Sequence, residues 1–443
     1  MQSMNQNINW YQSKFEAFEQ SLNGAKSTSM HAMRRSAMNR FIDLGFPTTR
    51  QEEWRFTNIS PIASTPFQPI LRYELNGVTE QDIRPHRLTH AMQFVFIDGM
   101  FSPELSNTGT MPTGMIAGSL AEQLKKHPDT IQSYINHFIM GDENTFAMLN
   151  TAFLWDGAFI SIPHGSVLDI PIQLLFVATN RDEVFAAQPR NLIIAGDDSQ
   201  LKIVETYIGL AKNVYLTNAI TEISLGDHSI VEHDKFQGEG LNAYHIAATH
   251  VYLSKTSRYT SNVISLGGSI ARNNIIARFD AEGAECILNG LSLGSGTQVI
   301  DNHTVIDHAK PHCISHELYK SILDGKSKGV FNGKIFVRKD SQKTDAKQTN
   351  KTLLLSDEAT MNTKPQLEIF ADDVKCTHGA TIGQLDDEQI FYLRSRGINL
   401  ETARNILTSA FASDVVGRIT VASFREQVDR MIHDRLDKNH ISS

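Results

Sequence analysis

The chain has 443 residues, with 41 Lys+Arg against 49 Asp+Glu and a formal net charge of −8, so its overall charge does not favour non-specific attraction to nucleic acid or anionic lipid. Three cysteines, odd in number and widely spaced, make no disulfide framework and suit a reducing cytoplasm. The opening MQSMNQNINWYQSKFEAFEQ has neither a basic n-region nor an apolar h-region, and no run approaches about 18 apolar residues, so the expectation is an unexported, cytoplasmic protein with no membrane span.

A single core usually stops growing near ~250–300 residues, so two or three units are expected unless the core is a repeat that extends in one dimension. Phe15, Phe18 and Leu22, then Met30, Met33, Ala37, Phe41 and Leu44, fall on i, i+3, i+4 spacing. They predict two helices, the second stopped by Gly45 and Pro47. The run QFVFIDGMF, residues 93–101, reads as strand with a turn at Asp98-Gly99, and helical pattern returns around 119–155. From about residue 158, short β-branched runs cut by Gly, Asp, Asn and Ser continue for more than two hundred residues. Setting Leu201, Ile230, Tyr259, Cys286 and Cys313 as equivalent gives offsets of 29, 29, 27 and 27. Strands and tight turns at that period predict a β-solenoid whose stacked coils bury a common core. A sandwich or jelly roll fits the same alternation. At Asp386 the pattern reverts to helix. Asp386 or Asp387 caps a segment through Ile390 and Leu393 to Gly397, Asn399 caps a second with Ala403, Ile406, Leu407, Ala410 and Phe411, and a third carries Val421, Phe424, Val428, Met431, Ile432 and Leu436. The division expected is a mostly helical region at 1–157, a β core at 158–385 and a helical region at 386–443.

Few motifs carry chemistry. Gly238-Glu239-Gly240-Leu241-Asn242-Ala243 matches a dinucleotide-loop pattern, but no acidic residue follows between 241 and 279 to hold a ribose, so it reads as a turn. No GxxxxGK[ST] is present, and the chain itself is expected to bind no nucleotide through a P-loop. His303, His308, His312, Cys313 and His316 crowd together, yet strand parity puts His312 and His316 on the face opposite Cys313, so solvated or hydrogen-bonded histidines are the expected reading. Near the end, in DDVKCTHGAT, an extended backbone would turn Asp372, Val374, Cys376 and His378 to one side. A thiolate and an imidazole are good ligands for iron, zinc or copper, but two do not close a tetrahedral site. The missing ligands must come from elsewhere in the fold or from another chain.

The segment KPQLEIFADDVKCTHGATIGQLDDEQIFYLRSRGI (364–398) resembles the C-terminal motif of the SufB/SufD family of iron–sulfur cluster assembly proteins. HAKPHCISHELYKSILDGKSKGVFNGKIFV (308–337), KTDAKQTNKTLLLS (343–356) and GFPTTRQEEWRFTN (45–58) are similar to further family blocks, in family order. THGAT followed by GQLDDEQIFYLRSRGI resembles the SufD branch; SufB carries a glutamate after the equivalent cysteine. The resemblance implies a mainly β fold with α, a right-handed parallel β-helix between helical terminal domains. It implies a non-catalytic scaffold in a SufBCD complex, paired with SufB through the β-helices and docking the SufC ATPase through the C-terminal helical region. It places Cys376 and His378 at a metal site shared with SufB, where iron or a transient Fe–S cluster is built. It assigns no role to Cys286 or Cys313. Pairing of two copies of this chain in the absence of SufB stays open. Two other readings of the residues also stay open at this point: a β-helix carbohydrate enzyme, which requires clustered carboxylates with exposed aromatics on one face, and a simple metal-binding module.

Overall fold

A computed structural model describes residues 2–22, 28–135 and 144–438. Part of the helical stretch expected at 119–155, residues 136–143, lies outside them, as do residues 439–443.

The core is a parallel β-solenoid. Successive strands alternate between two long sheets, and each pairs in parallel with the strand one coil earlier and one coil later. One sheet ends in Ile270–Phe279, Val299–His308, Lys328–Val337 and Thr360–Ile369; the other in Glu285–Gly294, Ile314–Leu323, Asp345–Leu354 and Lys375–Gly383. Both sheets also take up strands from the N-terminal part. Met92–Ile97 pairs in parallel with Ile172–Ala178, and Ile116–Ser119 pairs antiparallel with Ala158–Ile162. The expected turn at Asp98-Gly99 joins Met92–Ile97 to Met100–Asn107, and both turn residues have positive φ (51° and 88°), as a tight hairpin connection requires.

The register corrects the equivalences drawn from the sequence. Leu201 stacks on Val231, Val231 on Tyr259, Tyr259 on Cys286, Cys286 on Ser315, Ser315 on Ala346 and Ala346 on Cys376. The true column therefore contains Val231 rather than Ile230, and Ser315 rather than Cys313. Because side chains alternate, a one-residue slip turns a side chain to the other face. Val231 is fully buried while Ile230 is half-buried. Cys313 lies in the turn before its strand, where its thiol donates to the carbonyls of Ala281 and Pro311 at 3.4 Å each.

Three packing layers result. Leu201, Val231, Tyr259, Cys286, Ile306 and Ile335 fill the lumen. Tyr11, Phe15, Phe41 and Phe146, from the N-terminal helices and Thr145–Ala152, cover Leu216, Ile220, Ile246 and Ile270 on the outside of the first sheet. Val415, Phe424, Val428 and Ile432, from the helices Leu400–Val416 and Ala422–Lys438, cover Val204, Phe236, Ile264 and Leu291 on the outside of the second. Each buried side chain of this size contributes roughly 1.5–3 kcal/mol, so both helical layers are fastened by area rather than by charge.

Polar groups interrupt these layers. Within the lumen Glu205 accepts from Thr221 (2.6 Å) and Tyr207 (2.9 Å) and lies 3.1 Å from His233, while Glu239 contacts His245 at 2.7 Å. On the outer face of the second sheet Asp234, 1% exposed, accepts from Asn262 at 2.7 Å through one oxygen only. Burial pushes its carboxyl up to about 7, with Glu232 acting the same way against Asn262, His233 and Lys202. Its unfolded value is near 4. The folded chain therefore holds an extra proton between those values, and this group lowers stability progressively as pH rises from about 4 to about 7, the loss being complete above that. Asp234→Asn keeps the bond from Asn262 and removes the titration. It is expected to raise unfolding free energy by roughly 3–4 kcal/mol at pH 8.5 and by about a third of that at pH 5, as read from denaturant curves at the two values.

Candidate functional site

The solenoid stops at an open coil. Lys375–Gly383 is hydrogen-bonded to Asp345–Leu354 on one side only, and Thr360–Ile369 to Lys328–Val337 on one side only. Between them a bend at Asp372 and Asp373 precedes the last strand. Asp372 therefore drops out of the expected row, Val374 still packs against the lumen core just before the strand, and within the strand the row runs from Cys376 and His378 on to Ala380 and Ile382.

These even-numbered side chains occupy the lumen positions of the final coil. Cys376 stands over Ala346, His378 over Gln348, Ala380 over Asn350 and Ile382 over Thr352. All four residues beneath are buried, at 4% exposure or less. With no coil above, His378 is exposed and Ile382 is 47% exposed, while Cys376 packs partly against the lumen core. Among the described residues His378 has no hydrogen-bond or ion-pair partner. Burial raises the Cys376 thiol above its ordinary value, Asp345 adding to the effect and the Ala346 backbone opposing it.

The expected arrangement is thus present: one thiol and one imidazole on one strand face, two residues apart. No group of three or more His, Cys, Asp or Glu among the described residues is arranged to hold a metal. The edge can present two ligands and cannot enclose an ion by itself.

The other histidines disperse, as expected, but not by the strand parity drawn from the sequence, because His312 and Cys313 both precede the strand that starts at Ile314. His308 lies in the lumen against Ser315 Oγ (2.8 Å) and Phe279; His316 lies on the outside, 3.3 Å from Asp345; His312 sits in a turn with φ 59°, not in a strand. His303 has a role that the sequence did not show. Its Nδ1 lies 3.1 Å from Glu53 and its Nε2 2.9 Å from Asp301. Arg272 joins them, 2.9 Å from Asp301, donating to the Glu53 carbonyl at 2.7 Å and lying 3.8 Å from the Trp54 ring. The block at 45–58 is therefore a clamp that fastens the N-terminal region to the first sheet. Burial would raise the Asp301 carboxyl, but His303 and Arg272 outweigh it and hold it at about 2.

A groove of about 490 Å³ opens beside the clamp, lined by Trp54, Ile276, Val305 and Phe336. Its carboxylates are tied up, Asp307 by Arg338 at 2.8 Å and Glu53 by His303, so they do not form the free acid–base pair of a carbohydrate enzyme. Gly238 ends a strand and Glu239–Ala243 turns into the next, which leaves no dinucleotide loop.

Native-state alkylation with iodoacetamide is expected to label Cys376 and spare the buried Cys286 and Cys313. Because the thiol is raised, the rate should still be climbing at the top of the range, where an ordinary cysteine has begun to level off. Peptide mass spectrometry across pH 7–10 reads both outcomes.

Comparison with known proteins agrees with this geometry. The core domain described as "SUF system FeS cluster assembly, SufBD core domain" matches residues 176–411, and the "SufBD protein N-terminal region" matches residues 2–174. An iron–sulfur cluster assembly SufBD family protein of Synechocystis is 34% identical over 94% of this chain and 93% of its own length. The iron–sulfur cluster assembly protein SufD of Escherichia coli is 30% identical over 93% of this chain and 94% of its own. SufD of Bacillus subtilis is 24% identical over 91% and 93%. With its solenoid, its helical flanks and both domains matched, the chain belongs to the SufBD family of the SUF system of iron–sulfur cluster assembly.

Proposed function

We propose that this chain is a SufD-type scaffold of a cytoplasmic SufBCD complex. It pairs with SufB across the open end of the solenoid and contributes His378, supported by Cys376, to a shared site where a nascent iron–sulfur cluster is held. The observation that carries this reading is the position of His378, free and exposed on an unpaired strand edge, with one thiol beside it and no third ligand in reach. Iron or cluster is cargo at this site. An exposed strand edge is a template for a second chain, and Ile382 and Phe370 (59% exposed) give it apolar surface to bury.

The C-terminal helices supply a second contact. Leu400–Val416 and Ala422–Lys438 are fastened to the second sheet, but Asp387–Ser395 buries no residue, and Phe391 and Tyr392 are 74% and 58% exposed. An aromatic pair held out on a helix that buries none of its own residues is the kind of anchor that dominates protein interfaces. In our reading it docks the SufC ATPase, whose nucleotide cycle drives the conformational work while this subunit performs no catalysis.

Of the two candidate ligands His378 matters more. The raised thiol of Cys376 is half-sunk in the core, whereas a neutral imidazole on the rim can complete iron coordination from across an interface. His378→Ala is expected to leave the co-expressed three-protein complex assembled on size exclusion while cutting its iron and acid-labile sulfide, after anaerobic isolation, by more than half. Cys376→Ser should cut them less. Full cluster content in the His378→Ala complex would show that the pair is structural.

A further inference from the structure

Directly beneath His378 the lumen changes character. Elsewhere in the lumen buried carboxylates have basic side chains beside them: His233 and Lys235 near Glu205, His245 and Lys235 near Glu239. Glu317 differs. It is 3% exposed and forms no ion pair among the described residues; the one hydrogen bond it receives from another side chain at a defined distance is from Gln348 Nε2, 2.6 Å from Oε2. An isolated buried carboxylate is costly unless it is protonated, paired or coordinating a metal. Burial pushes this one up to about 7, against Thr304 and Gln348.

The oxygens around it lack well-formed hydrogen bonds, although the Thr304 hydroxyl, itself a donor, stands close enough to lower the Glu317 carboxyl. Glu317 Oε1, Gln348 Oε1, Asn350 Oδ1 and Thr304 Oγ1 are all buried and without a hydrogen-bond partner. Gln348 stacks on Glu317 in register, Asn350 follows two residues along the same face, and Thr304 approaches Glu317 from the opposite sheet. Gly333 lies across the lumen at the same level. A Cβ there would fall 2.2 Å from Gln348 Nε2, so the side chain of Gln348 fits only because Gly333 has none. Thr352 and Thr363, with two more unpartnered hydroxyls, stand nearer the open end. A carboxylate, two amide carbonyls and a hydroxyl are the donor set of a hard, oxygen-preferring cation, not of the soft or borderline ions that a thiol and an imidazole select.

We propose that the last coils of the solenoid enclose a second, separate cation site, in which Glu317, Gln348, Asn350 and Thr304 bind a hard divalent cation between one and two coils below His378. The site lies within this chain and stands whether or not His378 holds a cluster. With a single carboxylate its affinity is modest, with a dissociation constant on the order of 0.1 mM.

The test is manganese titration of the full-length chain alone at pH 8, reading the loss of the free-ion EPR signal. One saturable Mn²⁺ per chain is expected, weakened at least tenfold by Glu317→Gln and unchanged by Cys376→Ser with His378→Ala. Glu317→Gln is nearly isosteric and removes a buried charge; should it fail to fold, Gln348→Leu carries the same test. No saturable binding in the wild-type chain overturns the proposal. So does binding that survives Glu317→Gln but is lost with Cys376 and His378, which would put the ion on the surface pair. Several weak sites shared equally by all variants, an adventitious ion only, overturns it as well.

Discussion

Buried backbone N–H and C=O groups need hydrogen-bond partners, and a parallel strand has such groups on both its edges. A solenoid meets that demand by repetition, since each coil satisfies the one before it, and it fails at the coil that ends the stack. In this chain the failure falls at Thr360–Ile369 and Lys375–Gly383, whose outer edges face no further strand. The same termination leaves lumen positions without a roof. Positions that are buried as Gln348, Asn350 and Thr352 one coil earlier become His378, Ala380 and Ile382, open to the outside. The exposure of the candidate ligands and the stickiness of the edge have one cause.

The rest of the molecule holds that end still. The N-terminal region is fastened to the first sheet by the Glu53, Trp54, Arg272, Asp301 and His303 clamp and by an aromatic layer. The C-terminal helices are fastened to the second sheet by Val415, Phe424 and Val428, and Lys320 is buried beneath them with its amine against Asp414 and the Phe411 carbonyl. Both clamps grip mainly the outer faces of coils before the last, with Lys364 of the last coil paired to Glu52, so the open end is supported but not covered. The Cys376 and His378 pair is well placed geometrically and incomplete chemically, which would suit the proposed sharing and release of a cluster.

Much of this was legible in the sequence because it rests on local periodicity. The solenoid follows from runs cut at nearly constant spacing, the hairpin from Asp98-Gly99, and the C-terminal caps from Asp386 and Asn399, whose side chains accept from the helix amides as expected. The register was legible only to within one or two residues. Turn lengths vary from coil to coil, and nothing local distinguishes Ile230 from Val231 as the inward residue. The Cys376 and His378 pair was visible because both members lie on one strand. The clamp was not, since Glu53 and His303 are 250 positions apart. Nor was the oxygen-lined pocket, because Glu317, Gln348 and Thr304 meet only once the register is fixed, and none belongs to a recognised ligand motif.

The central claim is that the last coil is an unfinished surface completed by another chain. Amide hydrogen exchange tests it most directly, comparing the isolated chain with the chain co-assembled with its SUF partners. The account predicts that in isolation the amides of 360–369 and 375–383 that point away from the stack exchange rapidly while those of 328–337 and 345–354 are protected. It predicts further that assembly slows the outer-edge amides of 375–383 by at least a hundredfold, the effect expected for roughly 3 kcal/mol of added local stability. Equal exchange of residues 375–383 in the isolated and assembled states would contradict it, because the edge would then not be where the partner binds.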